Sequence, residues 1–268
     1  MLRSRREKII EMIQAERMLK VSELMKLFDV SIETIRRDLE YLEKQGLLTR
    51  VYGGAVLNQK KGKEPLYEQR EIKHYAEKEA IARRAVDLIE DGDVLGIDIG
   101  TTAREFAKAL IGKKKVIVLT NSMPIAEILS EDENIRVIML GGEVRKGEFS
   151  VSGFVAEQVM RRFNLDKYIL GIGGLTVENG ITDYHIEETN LRRVMLDRSQ
   201  MVIGLTDYSK FGVIAMNEVC PLSRLDVLIT DSRADRTIIG KMHTMKTEVI
   251  QIGALGKGAD AGNIENAE

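Results

Sequence analysis

The stretch SIETIRRDLEYLEKQG, residues 31–46, decides how the first part of the chain folds. Ile32, Ile35, Leu39 and Leu42 recur at helical spacing and fall within about 80° of one another around the axis. Thr34, Arg37 and Tyr41 project from the opposite side within about 60°. The pattern predicts a helix that begins after Ser31 and stops at Gly46, where glycine can take the left-handed conformation that ends helices. Upstream, Leu24, Leu27 and Phe28 mark the inner face of a short helix with Ser22 as its N-cap. Ile9, Met12 and Ile13 mark a first helix behind a charged opening turn. The second and third helices meet through Asp29-Val30, which gives helix-turn-helix proportions. After them LLTRVYGGAV, residues 47–56, reads as two short strands turning at Gly53 and Gly54, a wing.

The outer face of the third helix carries hydroxyl, guanidinium and phenol groups. Arginine can grip guanine O6 and N7 with two hydrogen bonds, and a helix fits the major groove. Arg37 is placed for that contact, Arg36 lies nearer the edge and suits a phosphate, and Arg50 and Tyr52 on the wing can reach the backbone or minor groove. Candidate nucleic-acid contacts are therefore Ser31, Thr34, Arg36, Arg37, Tyr41, Lys44, Arg50 and Tyr52. The same residues also fit a solvated face in which Arg36, Arg37 and Lys44 pair with Glu33, Glu40 and Asp38, and local sequence leaves both readings open.

Charge is divided along the chain in the same sense. Residues 1–62 hold 13 Lys and Arg against 9 Asp and Glu, a net of +4, while the remaining 206 carry 27 against 33, a net of −6. A basic end on an acidic body suits a polyanion that meets only the N-terminal part. With 268 residues, 44% hydrophobic and 31% charged, the chain has the composition of a soluble two-domain protein, and no apolar run approaches the roughly 18 residues of a membrane helix. The opening MLRSRREKII lacks the apolar segment of a secretory signal, so a cytoplasmic location is expected. One cysteine, Cys220, excludes an internal disulfide, and His74, His185 and His243 lie far apart, so neither a metal nor a cofactor is expected.

The domain organisation expected is a winged helix-turn-helix over 1–57, a polar linker over 58–75, an α/β domain over 76–255 and a flexible tail over 256–268. In the α/β part, helical stretches alternate with apolar runs: VLGID at 94, KVIVLT at 115, IRVIML at 135, KYILGI at 167, QMVIGLT at 200 and LDVLIT at 225. Such alternation predicts a largely parallel sheet covered on both faces. Ligands of such sheets bind beyond the carboxyl ends of the strands, so the following loops hold the candidates. DIGTT at 98 leaves a strand, bends at Gly100 and starts a helix, so Asp98, Gly100, Thr101 and Thr102 form a plausible phosphate cradle, or the threonines simply cap their helix. It is not a nucleotide-binding P-loop, and GIGGLT at 171 is not a dinucleotide fingerprint. Asn121 and Ser122, Gly141 and Gly142, Gly173 and Gly174, and Lys210 of DYSKFG stand in further loops. Asp183 precedes a helical stretch, and Glu187 at its start either accepts sugar hydroxyls or complements the helix dipole.

Arg5, Ile9 and Ile13 followed by Ser31 to Leu39 resemble, at matching spacing, the N-terminal signature of the DeoR family of bacterial transcriptional regulators. The wing RVYGGAV is similar too, with Tyr52 where many members carry histidine. DIGTT, LTNSMPIAEIL, MLGGEVR, ENGITD and DYSKFG, in this order, resemble that family's effector domain, so the likeness runs from about Arg3 to Thr230. The resemblance implies an α/β domain similar to sugar-phosphate isomerases such as ribose-5-phosphate isomerase. It further implies a phosphorylated sugar or catabolite as effector, and a phosphate site at DIGTT with Gly173, Gly174, Glu187 and Lys210 lining the same pocket. The expected function is a repressor of a sugar-catabolic operon, acting on double-stranded operator DNA as a homodimer or homotetramer. An isomerase-like enzyme with an N-terminal appendage, using Asp98, Asp183, Glu187 or Lys210 for proton transfer, is the alternative, and a constitutive DNA-binding protein with a ligandless pocket is a third reading.

Overall fold

A computed structural model describes residues 2–16, 18–44, 47–51, 53–57 and 64–253. Gly46, Tyr52 and the expected tail over 256–268 lie outside the described residues, as does the stretch 58–63.

The N-terminal unit runs α1 (Leu2–Glu16), β1 (Met18–Lys20), α2 (Val21–Phe28), α3 (Ile32–Lys44), β2 (Leu48–Val51) and β3 (Gly54–Leu57). Ile9, Ile13, Leu24, Ile35, Leu39 and Leu42 close one apolar core between the three helices, and Leu48 and Ala55 join it from the wing. Three local expectations need correction. The wing is a three-stranded antiparallel sheet in the order β1-β3-β2, because the three-residue strand Met18–Lys20, too short to show a period, adds to the hairpin. α2 springs directly from that strand, with Lys20 at the N-cap position and no side-chain cap bond, so Ser22 sits inside the first turn. Leu27 is 57% exposed, since the inward face of α2 runs through Val21 and Leu24. Asp29 takes φ 49° and donates its backbone N–H to Met25, which closes α2 and sets the turn to α3. The Gly53-Gly54 pair divides two tasks: Gly53 takes φ +78° at the hairpin turn, and a Cβ on Gly54 would lie 2.2 Å from the Leu19 carbonyl oxygen.

The segment read as a polar linker is folded in its second half, a further correction. It contains α4 (Tyr67–Ile72), and α5 (Tyr75–Val86) follows at once. The α/β domain continues with β4 (Val94–Ile97), α6 (Thr101–Leu110), β5 (Val116–Thr120), α7 (Met123–Leu129), β6 (Ile135–Met139), the hairpin β7 (Glu143–Arg145) and β8 (Ser150–Ser152), and α8 (Phe154–Met160). Then come β9 (Leu165–Gly171), β10 (Gly174–Thr176), β11 (Gly180–Asp183), α9 (Ile186–Asp197), β12 (Ser199–Leu205), β13 (Asn217–Cys220), β14 (Val227–Asp231), α10 (Arg236–Thr244) and β15 (Glu248–Ile252).

The six apolar runs of the sequence are all strands of one seven-stranded parallel sheet, ordered β15-β14-β12-β9-β4-β5-β6, with β15 as an edge strand the sequence reading missed. Alternate residues of each strand feed opposite layers, as the period of two requires. Ile97, Ile169, Ile203 and Ile229 pack under α5, α6 and α7, while Tyr168, Leu170, Val202 and Leu228 pack against α8, α9 and α10. β10, β11 and β13 form a small antiparallel sheet at the carboxyl end of the main one. Among the described residues no helix is long and apolar enough to cross a membrane.

Candidate functional site

α3 presents its polar face much as its periodicity predicts. Ser31 caps the helix, its Oγ 3.4 Å from the Thr34 amide and 3.0 Å from the Thr34 hydroxyl, so these two side chains first serve the helix start. Arg36 and Arg37 are exposed and have no ion-pair partner among the described residues. The paired-surface reading fails for them because Asp38 turns inward: it is 1% exposed and accepts from Arg5 Nε at 2.6 Å and Arg6 Nε at 2.7 Å, tying α3 to α1. It holds for Lys44, which pairs with Glu40 at 2.9 Å. Arg50 is bound through Nε to Glu43 at 2.7 Å, and its own N–H donates to the same carboxylate at 2.8 Å, which fastens the wing to α3. Tyr41, half exposed, lies under the Arg6 guanidinium, 3.9 Å from the ring centre. Tyr52 lies outside the described residues.

In the α/β domain the strand order reverses between β4 and β9. Connections after β4 lead toward β5 and β6, those after β9 toward β12 and β14, so the two loops part and leave a crevice at the carboxyl edge. A cleft of about 840 Å³, open to solvent, occupies that place. Its floor is Ile99 to Ala103 after β4 and Gly171 to Gly173 after β9, with Asp207, Ser209 and Lys210 after β12 on one side. Asp183, Tyr184 and Arg192 close another side, and the last wall is the folded connector: Glu64, Pro65, Arg70, Lys73 and His74, backed by Lys78 of α5. Gly100 takes φ +114° and stands at the N-cap of α6 without a side-chain cap bond, so the threonines behind it do not cap the helix. The first-turn amides of α6 and the Thr101 and Thr102 side chains thus meet the cleft at the positive end of a helix. A Cβ on Gly173 would lie 2.7 Å from Asp183 Oδ2 and 2.9 Å from the Thr182 carbonyl, so only glycine lets this loop pass β11.

Five cationic side chains, Arg70, Lys73, Lys78, Arg192 and Lys210, face three carboxylates, Glu64, Asp183 and Asp207, around the cleft. Beneath the floor, Arg192 of α9 is 4% exposed and binds Asp98 Oδ2 through Nε at 2.7 Å. Its Nη1 lies 3.0 Å from Asp183 Oδ1, an ion pair whose angle falls short of a hydrogen bond. Asp98 Oδ2 also accepts the Gly171 amide at 3.1 Å. Burial pushes the Asp98 carboxyl up to about 6, with Arg192 opposing the shift. A second chain of charges crosses the rim: Arg145 binds Glu188 and Glu64, each at 2.6 Å, and Arg70 binds Glu64 at 3.2 Å and Glu148.

Of the sequence candidates, the structure brings Gly100, Thr101, Thr102, Gly173, Asp183 and Lys210 together around the cleft. The others lie elsewhere. Asp98 is below the floor, bound by Arg192. Asn121 and Ser122 follow β5, on the outward side of the reversal: Asn121 donates to the Val151 carbonyl and Ser122 caps α7. Gly141 and Gly142 precede the β7–β8 hairpin, where a Cβ on Gly142 would lie 2.3 Å from the Ser152 carbonyl oxygen. Gly174 opens β10, its Cβ direction blocked by Val213. Glu187 is half exposed and 3.0 Å from His185 Nδ1; the buried carboxylate is its neighbour Glu188, which accepts the Ser150 hydroxyl at 2.6 Å.

Sequence reasoning missed Arg70, Lys73, His74, Lys78, Asp207 and Arg192. For Arg192 a signal existed: Glu188, Arg192 and Met195 follow the inner-face spacing of α9, where a charge needs a buried partner. Lys78 likewise shares the inner side of α5 with Ile81, Ala82 and Ala85. Among the described residues no group of three His, Cys, Asp or Glu side chains is placed to hold a metal ion.

Comparison with known proteins matches residues 5–61 to the DeoR-like helix-turn-helix domain and residues 73–232 to the DeoR C-terminal sensor domain. The HTH-type transcriptional regulator GolR of Listeria innocua is 34% identical over 88% of this chain and 93% of its own length. The glycerol-3-phosphate regulon repressor of Escherichia coli K12 is 34% identical over 84% of this chain and 88% of its own. A ribose 5-phosphate isomerase A from Methanocaldococcus jannaschii overlies 50% of this chain and 53% of its own, with a TM-score of 0.38 and 18% identity, a likeness too loose to carry an argument.

Proposed function

The chain belongs to the DeoR family of transcriptional regulators, and from that premise we propose that it is a DNA-binding repressor whose α/β domain binds a phosphorylated sugar or sugar catabolite. The observation that carries the reading is the convergence of Lys73, Lys78 and Lys210 on the cleft at the strand reversal, set against the open N-terminus of α6. A phosphate monoester meets helix amides, hydroxyls and ammonium groups there, the donors such a group needs. At the other end of the chain, Arg36 and Arg37 on α3 supply the contacts to operator bases and phosphates.

Repression is relieved by linkage. A ligand that prefers the conformation with low operator affinity lowers that affinity by the same coupling factor, typically about 5- to 150-fold. A dimer or tetramer is proposed, because one recognition helix reads too few bases and paired half-sites multiply its selectivity. The protein works in the cytoplasm, where operator and sugar phosphates are both found. No turnover is proposed: Asp98 lies below the floor, bound by Arg192, and Asp183 is paired with the same guanidinium, so neither is well placed to take a proton from a sugar carbon.

The test is fluorescence anisotropy of the full chain on DNA from upstream of its own operon against a scrambled fragment, at fixed salt because phosphate contacts make affinity strongly salt-dependent. A panel of sugar phosphates is then added. The expected result is preference for the operon fragment, lost on addition of one member. Binding that no member alters would remove the effector reading, and turnover of a member would favour an enzyme.

A further inference from the structure

We propose that Lys78 is a latch, its ammonium contested between the Arg70 and Lys73 carbonyls, in and just after the connector helix α4, and an oxyanion in the cleft, so that a phosphorylated ligand loosens the segment leading to the DNA-binding unit. The proposal rests on the reading of the cleft as a phosphate-ester site.

α4 has only six residues, far fewer than a helix needs to hold itself in water, and its final carbonyls have no partner within the helix. Lys78, from α5, supplies one: its Nζ donates to the carbonyl oxygen of Arg70 and, at 2.6 Å, to that of Lys73. The side chain is 3% exposed, so a full charge is buried against neutral acceptors. Burial pushes the ammonium down to about 8, with Lys210 and Arg70 adding repulsion and Asp207 and Glu105 attraction. A phosphate dianion is a better acceptor for an ammonium than a peptide carbonyl is. Lys78 lines the same cleft as Thr101 and Lys210, so the two acceptors compete for one cation.

The other bonds on α4 point the same way. Arg70, the middle of the helix, lines the cleft and is held by Glu64 at 3.2 Å and by Glu148. An anion in the cleft attracts Arg70 and Lys78 together and weakens both tethers. Glu64 stands seven positions beyond Leu57, the last residue of the wing strand β3, so loosening at 64–73 is delivered close to the DNA-binding unit.

Hydrogen exchange of the full chain, read at the amides of Arg70, Glu71 and Ile72 with and without inorganic phosphate, tests this, with calorimetry reporting phosphate binding on the same samples. Phosphate should speed exchange of these amides in the wild type by about 5-fold or more. In Lys78→Met exchange should be fast from the outset and unresponsive, with phosphate binding weakened. Glu148→Gln, which loosens α4 without touching Lys78, should exchange faster yet keep its response. Phosphate binding to the wild type with no change in exchange overturns the latch and leaves the cleft reading intact, as does a Lys78→Met protein that still responds. No phosphate binding by the wild type removes the cleft reading, and the latch with it.

Discussion

Arg37 differs from most charges of α3 in what it lacks. Lys44 has Glu40 and Asp38 has Arg5 and Arg6, while Arg37 has no ion-pair partner among the described residues and projects from the side opposite Ile35 and Leu39. Arg37→Ala is therefore expected to weaken specific operator binding by about 1–3 kcal/mol without changing effector affinity. Operator titrations of the variant that overlay those of the wild type would end that assignment. Asp98 is the residue whose role the structure changed most. Its folded value, raised to about 6, lies above the ordinary aspartate value, so the native state holds this proton more tightly than the unfolded chain does. The resulting stability is complete below about pH 4 and is lost as pH rises through about 6. Asp98→Asn removes that titration while keeping an acceptor for the Gly171 amide. Melting temperature against pH should be flatter for the variant across this window, and parallel profiles would show that another group titrates there.

At the scale of elements, α1 and α3 are joined by more than their shared apolar face. The two bonds from Arg5 and Arg6 to a buried Asp38 cross between the helices, with both guanidinium groups only partly exposed. Asp38→Ala leaves two arginines without their acceptor, and the N-terminal unit should lose about 2–3 kcal/mol in urea unfolding. A loss below about 0.5 kcal/mol would mean the pair is no stronger than an exposed ion pair. The spacing held a signal for this tie, since Asp38 stands three residues after Ile35 and four before Leu42, beside the inward stripe, but it does not say that Arg5 and Arg6 are the partners. α4 left no such signal. The polar run NQKKGKEP and the residues just after it show little periodicity, and a six-residue helix held by Arg104, Glu148 and Lys78 draws its order from the domain it packs on.

For the whole molecule the decisive fact is the order β15-β14-β12-β9-β4-β5-β6. It places the loops after β4 and β9 side by side and sends those after β5 and β6 away, which is why Thr101 and Gly173 share a cleft while Asn121 and Gly141 stand outside it. The connector forms one wall, so the cleft and the path to the DNA-binding unit share one stretch of chain. If operator and ligand are linked this way, Lys210→Ala should abolish the response to the sugar phosphate while operator binding in its absence stays near the wild-type value. Relief of repression at normal ligand concentrations would show that Lys210 does not read the ligand.

What the sequence determined by itself was local: the inward stripe of α3, the turn at Gly53 and Gly54, the six apolar strands and the helix beginning at Thr101. Each arises from a period or from a conformational preference that a few neighbouring residues carry. The tertiary structure alone decided which loops converge, that Asp98 serves Arg192, that Glu188 and not Glu187 is the buried carboxylate, and that the connector walls the cleft. These depend on strand order and on partners dozens of residues apart, and a parallel sheet built through helical crossovers leaves no local mark of which strand lies beside which.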